Sequence, residues 1–385
     1  MRILHTSDWH LGRQFERMPL IDDQRAFVEW LVDTVRADEI DLVAIAGDVY
    51  DRSVPPEDAI ELLDHAIAEI RNTGAIVALI PGNHDNNTRV GFGARAFGAF
   101  GVHVRGSIDR NVAGSPIVVE FQDGPLAIVP LPFLDPGMYF TRDDSGEYPD
   151  LGVDRTHEGA MRDALRASRD AIGGTRSLLL AHAFVAGDVA TSESEKTLRV
   201  GGTDRVAIEV FEGFSYTALG HIHRPQAFEG GSIAYSGSPL PYSFSEEGAK
   251  SVRIVEMAPD GSIEIETREV PVGRRVATIA GTLDELLTAT EHAGAADKWV
   301  RARLTDDEVR INAMGQLRDR FPHAVALEYT GLGGRERFDG PDLEAMERLS
   351  PEQITDGYWS DVRQEQLEGE RRELLIGAVR QVMDR

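Results

Sequence analysis

Residues 75–87 read AIVALIPGNHDNN. A short apolar run, the right length for one buried strand, ends at Pro81-Gly82. Five consecutive polar side chains follow: Asn83, His84, Asp85, Asn86 and Asn87. Such an end is either an ordinary polar turn or a strand that delivers ligands to a site. The same texture recurs four times. MRILHTSDWH opens the chain, and IDLVAIAGDVYD spans 40–51. RSLLLAHAF lies at 176–184 and YTALGHIH at 216–223. Helical patterns separate the early runs, at Gln24–Ala37 and Glu57–Asn72. Strands alternating with helices predict an α/β core with crossover connections. In open α/β sheets ligands bind beyond the carboxyl ends of the strands, where all five polar clusters fall.

Further along, SIAYSGSPLPYSF (232–244) and KSVRIVEM (250–257) read as strands and turns that close this core near residue 270. After VPVGRR (270–275) the texture changes. RVATIAG, KWVRARLTDD and AVALEYTG read as strands, with helices TLDELLTATEHAG and INAMGQLRDRFP between them. That is a compact β-α-β-α-β unit at 274–330. GLGGRERFDGP is Gly-rich and charged, hence a linker over 331–340. Residues 341–385 read as two helical pieces. Leu367, Leu374, Leu375, Ala378 and Val382 recur at helical spacing on the second.

Bulk composition narrows the class. The chain has 385 residues, which predicts more than one domain. It has no cysteine, so disulfides, thiolate ligands and cysteine nucleophiles are excluded. The N-terminus lacks the charged-then-apolar pattern of a secretory leader, and no apolar run nears the ~20 residues of a membrane span. The expectation is a soluble, cytoplasmic protein with no membrane partner. The net charge of −25 argues against a simple nucleic-acid binder, which needs a basic face to replace counterions. It does not argue against a phosphodiester enzyme, because dications supply local positive charge at the phosphate.

The clusters carry Asp8, His10, Asp48, Asn83, His84, His182, His221 and His223. Five of the 11 histidines fall in them, which is why the set, and no single motif, carries the argument. Oxygen and nitrogen ligands without sulfur suit Mn²⁺, Fe²⁺ or Zn²⁺. The set is too large for one tetrahedral ion. Two ions sharing Asp48 would use it, and two metals ~3.5–4 Å apart clamp a phosphoryl group and activate its attacker.

These residues carry a resemblance. DWH (8–10), GDVYD (47–51), GNHD (82–85), His182 and GHIH (220–223) resemble, in that order, the motif series of calcineurin-like metallophosphoesterases. More narrowly, HTSDWHLG (5–12), GDVYDRSVPP (47–56) and YSGSPLPYSF (235–244) resemble the SbcD family. These are the bacterial Mre/Rad-type double-strand-break nucleases that work with an SbcC-type ATPase. The resemblance covers roughly residues 1–270; beyond, it rests on the order of elements.

The resemblance implies an α/β (α+β) fold, a metallophosphoesterase β-sandwich flanked by helices, as a nuclease domain over 1–273. A small α/β capping domain that aligns DNA would occupy 274–330. After the 331–340 linker, C-terminal helices at 341–385 would dock on the SbcC coiled coil. Two divalent ions, expected as Mn²⁺, would be held by Asp8, His10, Asp48 and His223 and by Asp48, Asn83, His182 and His221. Asp48 would bridge them. His84 would be catalytic, beside the scissile phosphate and aiding the leaving group, with Asp85 orienting a ligand. The implied activity is 3′ to 5′ exonuclease on duplex ends and endonuclease on single strands and hairpins, in DNA repair, recombination and replication. The implied assembly is a homodimer within a nucleoid-associated heterotetramer. ATP would bind the partner, since this chain has no G-x-x-x-x-G-K-[ST] loop. Two other readings stand beside it. One is a small-molecule metallophosphoesterase for phosphomonoesters or cyclic nucleotides, and the other a non-catalytic scaffold. His5 is expected to be a buried, hydrogen-bonded histidine. Asp51 is expected to be structural, and Arg13, Arg52, Arg89 and Arg224 stand near enough to meet DNA phosphates.

Overall fold

The structure, a computed structural model, describes residues 1–142, 146–148, 150–185, 191, 194–195, 205–228, 230–331, 369 and 371–376. The early apolar runs pair side by side. Arg2–Thr6, Leu42–Ala46, Ile76–Ile80 and Val102–Val104 are parallel neighbours in one six-stranded sheet. Ser251–Met257 and Ile263–Glu269 extend it antiparallel from the Arg2–Thr6 edge. A second six-stranded sheet holds Gly124–Leu131, Ser177–His182, Tyr216–Gly220 and Ile233–Tyr235 in parallel, with Ile117–Phe121 and Gln226–Ala227 antiparallel at its edges.

Side-chain alternation along these strands dictates the layering. In one sheet Ile3, Leu42, Ala44, Ala78 and Ile80 face inward. They meet Leu126, Ile128, Leu178, Leu180, Tyr216 and Ala218 of the other in one apolar cluster between the sheets. The alternate residues Leu4, Val43, Ile45 and Leu79 face outward, onto Phe27, Val28 and Leu31 of the helix Ile21–Ala37 and Leu62, Ala66 and Ile70 of the helix Glu57–Asn72. On the far side Leu179, Ala181 and Leu219 pack on Met161 and Leu165 of the helix His157–Ile172. Helices thus cover both outer faces of a β-sandwich, the mixed α/β fold expected. The first helix begins at Ile21, before the expected Gln24, because Asp22 and Asp23 complement the positive end of its first turn. His5, on the inward face with Ile3, is fully buried and bonded to Tyr216 Oη and the Leu219 carbonyl.

Val276–Gly281, Trp299–Leu304 and Ala324–Tyr329 form a separate three-stranded sheet. Val276 and Trp299 share an apolar cluster with Phe15, Leu20, Leu240, Tyr242 and Phe244. The chain divides into two compact units. One comprises Met1–Arg303 with Ile311–Glu328, and holds both six-stranded sheets. The other comprises Leu304–Arg310 with Tyr329–Arg385. Within it Thr330 donates to the Leu304 carbonyl and the Arg310 amide to Tyr329 Oη. Residues 371–376 are helical, with Leu374 exposed and Ile376 buried. The linker at 332–340, and the 341–385 helices except 369 and 371–376, lie outside the described residues, as do Leu367, Ala378 and Val382. Among the described residues no helix is long and apolar enough to cross a membrane.

Candidate metal centre

Parallel pairing brings the strand ends together. The loops after Arg2–Thr6, Leu42–Ala46 and Ile76–Ile80 carry Asp8 with His10, Asp48, and Asn83 with His84. His182 ends one strand of the facing sheet, and His221 and His223 follow its neighbour. The two sheets approach closely here. A Cβ added to Gly220 would lie 2.0 Å from the Ala46 carbonyl, and one on Gly47 would lie 2.4 Å from His182 Nδ1. Glycine lets strand ends from both sheets share one site.

All eight predicted side chains converge. Three groups of ligand-type atoms form: Asp8, His10 and His223; His10, Asp48 and His84; and Asp8, Asp48 and His182. Within each, one atom per residue lies within 4.8 Å of the others. Asp48 Oδ2 is 3.6 Å from His10 Nε2 and 3.5 Å from His182 Nε2, so one carboxylate oxygen reaches both histidines. Asn83 Oδ1 is 3.0 Å from both His182 Nε2 and His221 Nδ1.

The chemistry of the donors shows that the set fits a cation. The Ala46 carbonyl can only accept, so His182 Nδ1 donates to it across 2.9 Å. His182 Nε2 then presents a lone pair to Asn83 Oδ1 and Asp48 Oδ2, acceptor against acceptors. Only a proton or a metal ion reconciles them. Burial opposes a charge on this ring, but Asp48 holds His182 up, to about 9. His10 is fully buried, and its Nδ1 has no hydrogen-bond partner among the described residues. Burial first, then neighbouring histidines, hold His10 and His221 neutral, the latter pushed down to about 3. Burial would raise Asp48, yet the surrounding histidines, led by His182, hold it ionised. The neutral His10 and His221 rings and the ionised Asp48 carboxylate are the ligand states a dication requires, and a cation arriving at His182 Nε2 would displace the proton that Asp48 favours there.

The backbone is strained to make this arrangement. Asp8, His10, Asp48 and His221 all take positive φ, at 54°, 45°, 49° and 108°. Side-chain props hold the loops. Asp8 accepts from Ser7 Oγ at 2.5 Å and from the His221 amide at 3.0 Å. Gln24 donates to the His10 carbonyl, and Tyr242 Oη donates to the Trp9 carbonyl. Asp85, expected to orient a ligand by hydrogen bonding, accepts from the backbone amides of Val49, Tyr50 and Gly82. It braces the Asp48 and Asn83 loops against each other. Burial, then Asp48, push its carboxyl up to about 7.

His84 Nδ1 bonds the Asp51 carbonyl at 2.9 Å, which leaves Nε2 aimed into the site, 4.0 Å from Asp48 Oδ2. Beside it opens a cavity of about 480 Å³ lined by Arg13, Gln14, Arg17, Asp51, Arg52 and His84. Arg13 is ion-paired to Asp51 at 2.8 Å, and Arg52 is exposed. Arg89 and Arg224 donate to the Ser53 and Ser245 carbonyls.

Sequence reasoning passed over Ser194, Glu195, Glu246 and Lys250, which surround His223. Ser194 Oγ lies 2.7 Å from His223 Nδ1, and Glu195 accepts from the His223 amide at 2.8 Å. The run after YSGSPLPYSF, SEEGAK, was the available signal.

Residues 1–225 match the family model described as calcineurin-like phosphoesterase. Residues 272–363 match a model of an SbcD C-terminal domain, described as the type 5 capsule protein repressor C-terminal domain. Three solved structures are also similar. A dimetal phosphatase from Danio rerio is 14% identical, over 70% of this chain and 96% of that one, with a TM-score of 0.42. TT1561 of Thermus thermophilus is 13% identical, over 69% and 98%, at 0.37. GAP50, the anchor in the inner membrane complex of Plasmodium, is 11% identical, over 85% and 96%, at 0.43.

Proposed function

This chain belongs to the calcineurin-like phosphoesterase family and is a metal-dependent hydrolase, and from that premise we propose that it is the nuclease subunit of an SbcCD-type complex. One observation carries the narrower reading: an SbcD C-terminal domain match follows the phosphoesterase match in the same chain. The two matches in this order are those of an SbcD nuclease subunit.

Asp8, His10, Asp48 and His223 would hold one divalent ion, and Asp48, Asn83, His182 and His221 a second, with Asp48 shared. Imidazole, carboxylate and amide ligands with no sulfur suit Mn²⁺, Fe²⁺ or Zn²⁺, and the resemblance to the SbcD family favours manganese among them. When bound, such a pair polarises the phosphoryl group and activates water near neutral pH. The chain's own residues do the rest. Asp85 and Tyr242 hold the ligand loops in place before substrate arrives. The Asp51 carbonyl accepts a hydrogen bond from His84 Nδ1–H, which turns Nε2 toward the phosphate. From there His84 protonates the departing oxygen as a general acid. Arg13, Arg17 and Arg52, lining the adjoining cavity, suit the neighbouring phosphates of a strand.

The substrates are then DNA: duplex ends cut 3′ to 5′, and single strands and hairpins cut internally, in repair, recombination and replication. An SbcC-type ATPase partner, met through the C-terminal helices, would supply DNA affinity that a chain of net charge −25 lacks. A homodimer within a heterotetramer belongs to the same proposal, and Phe92, Phe97 and Phe100 are exposed aromatics that such an interface would cover. The place of action would be the cytoplasm, at the nucleoid.

The test incubates the purified chain, alone and with the ATPase, with linear duplex and hairpin DNA in Mn²⁺ and in chelator. A phosphomonoester and a cyclic nucleotide run in parallel. Mn²⁺-dependent DNA cleavage with little small-ester turnover is the expected result. Rapid small-ester turnover with intact DNA under both conditions overturns the nuclease reading in favour of a small-molecule phosphoesterase.

A further inference from the structure

We infer that Ser194, Glu246 and Lys250 form a relay that positions His223, fixing its imidazole in the tautomer a metal ligand needs. The inference rests on the metal-centre reading above.

The direction of each bond follows from what each group can do. A carboxylate only accepts, so the Ser194 hydroxyl donates to Glu246 Oε1, 2.5 Å away. Its one proton is thereby committed. Ser194 Oγ must accept from His223 Nδ1, at 2.7 Å. His223 therefore carries a proton on Nδ1, and the neutral ring keeps its lone pair on Nε2. That Nε2 lies 3.2 Å from His10 Nε2 and belongs to the cluster with Asp8 and His10. Reversed, the relay would put an N–H where a ligand atom is needed.

Lys250 locks the far end. Its ammonium donates to Glu246 Oε2, to Ser238 Oγ at 2.9 Å and to the His223 carbonyl at 3.1 Å. One cation thus holds both the carboxylate that ends the relay and the backbone of the ligand it serves. Glu195 takes the His223 amide at 2.8 Å, so backbone and ring are both constrained. Glu246 and Lys250 are 3% and 2% exposed. A buried ion pair is a weak source of stability, since apolar residues of similar volume often do as well. Its orientation toward a single imidazole is what distinguishes this pair. Metal-ligating histidines need their second nitrogen held in this way.

The test titrates Mn²⁺ into the full-length wild-type, Ser194→Ala and Glu246→Gln chains by calorimetry. Nitrogen-15 spectra of the histidine rings are recorded without metal. An amide donates as well as accepts, so Glu246→Gln leaves the relay without a fixed direction. Ser194→Ala removes its middle while sparing the buried ion pair, and keeps the test open if Glu246→Gln fails to fold. The expected result is about a 10–100-fold weakening of one of two binding steps, with the other unchanged. The His223 signal should move from the pure Nδ1–H form to a mixture. Two unchanged steps and an unchanged tautomer in Ser194→Ala overturn the relay alone, as does equal weakening of both steps. A wild-type chain that takes up no Mn²⁺ overturns the metal-centre reading and this inference with it.

Discussion

Asp48 holds φ at 49° while its Oδ1 accepts the His84 amide at 2.8 Å and its Oδ2 faces two histidines. A non-glycine residue there costs on the order of 1–3 kcal/mol, and three more site residues share the strain. The conformation aims the carboxylate inward, which the extended strand before it does not do. Asp48→Ala should therefore abolish uptake of both ions and lower phosphodiesterase activity by at least ~10²–10³-fold, the scale of losing one preorganised charge-stabilising group. Metal analysis after gel filtration, with rates, checks this; retained full activity would sink the shared-ligand reading. His84 is a different case, because its Nδ1 is tied to a backbone carbonyl and only Nε2 faces the site. His84→Gln should keep two ions and lose about 10²–10⁴-fold in turnover, the usual contribution of a general acid. Loss of metal in that variant would show that His84 is a ligand. The residue types were legible from the sequence. The positive φ values and the Asp51 carbonyl under His84 were not, since both depend on how neighbouring loops stack.

The elements that matter most are the two strands ending at Ala46 and Gly220, which come from different sheets. Gly220 is not at positive φ, so its role is spatial. A methyl there would sit 2.0 Å from the Ala46 carbonyl and 2.9 Å from His182 Nδ1. Gly220→Ala must push the sheets apart where His182, His221 and Asp48 meet. Overpacking of this kind typically costs ~1–3 kcal/mol. Urea unfolding should show that loss, and Mn²⁺ titration a weakened centre. A variant with native stability and native metal binding would mean that the sheets separate freely there. The sequence showed glycine before both Asp48 and His221. Periodicity gave the strands and the inward face, so His182 could be placed with Leu178 and Leu180 by alternation alone. It could not show that the facing sheet comes within contact of these two glycines.

At the scale of the whole molecule, an ion pair at one end of the second sheet also reaches the last residue of the first sheet's Ser251–Met257 strand. Arg176, almost fully buried, binds Asp123 through two nitrogens, at 2.8 and 2.5 Å, and reaches the Met257 carbonyl. Arg176 holds the partly exposed Asp123 carboxyl well below the usual carboxylate range. A depressed folded-state pKa contributes stability that is complete above the unfolded value, near pH 4, and is lost as pH falls below it. Asp123→Asn should cost about 1.5–3 kcal/mol at pH 7, the value of a charge-assisted hydrogen bond. It should also flatten the acid limb of the stability curve. Thermal melts from pH 7 down to pH 2 check both; parallel curves for the two proteins would refute the coupling.

The sequence alone determined which atoms are available and at which strand ends they sit. Ligand type is a property of the residue, and strand ends follow from local apolar period and turn chemistry. Asp8, His10, Asp48, Asn83, His84, His182, His221 and His223 were all legible for that reason. Only the tertiary structure decided what surrounds them. Ser194, Glu246 and Lys250 reach His223 from separate stretches of chain, and Asp85 braces a loop 36 residues away. Such contacts depend on the closing of one sheet over another, and no local pattern in the chain encodes their distance.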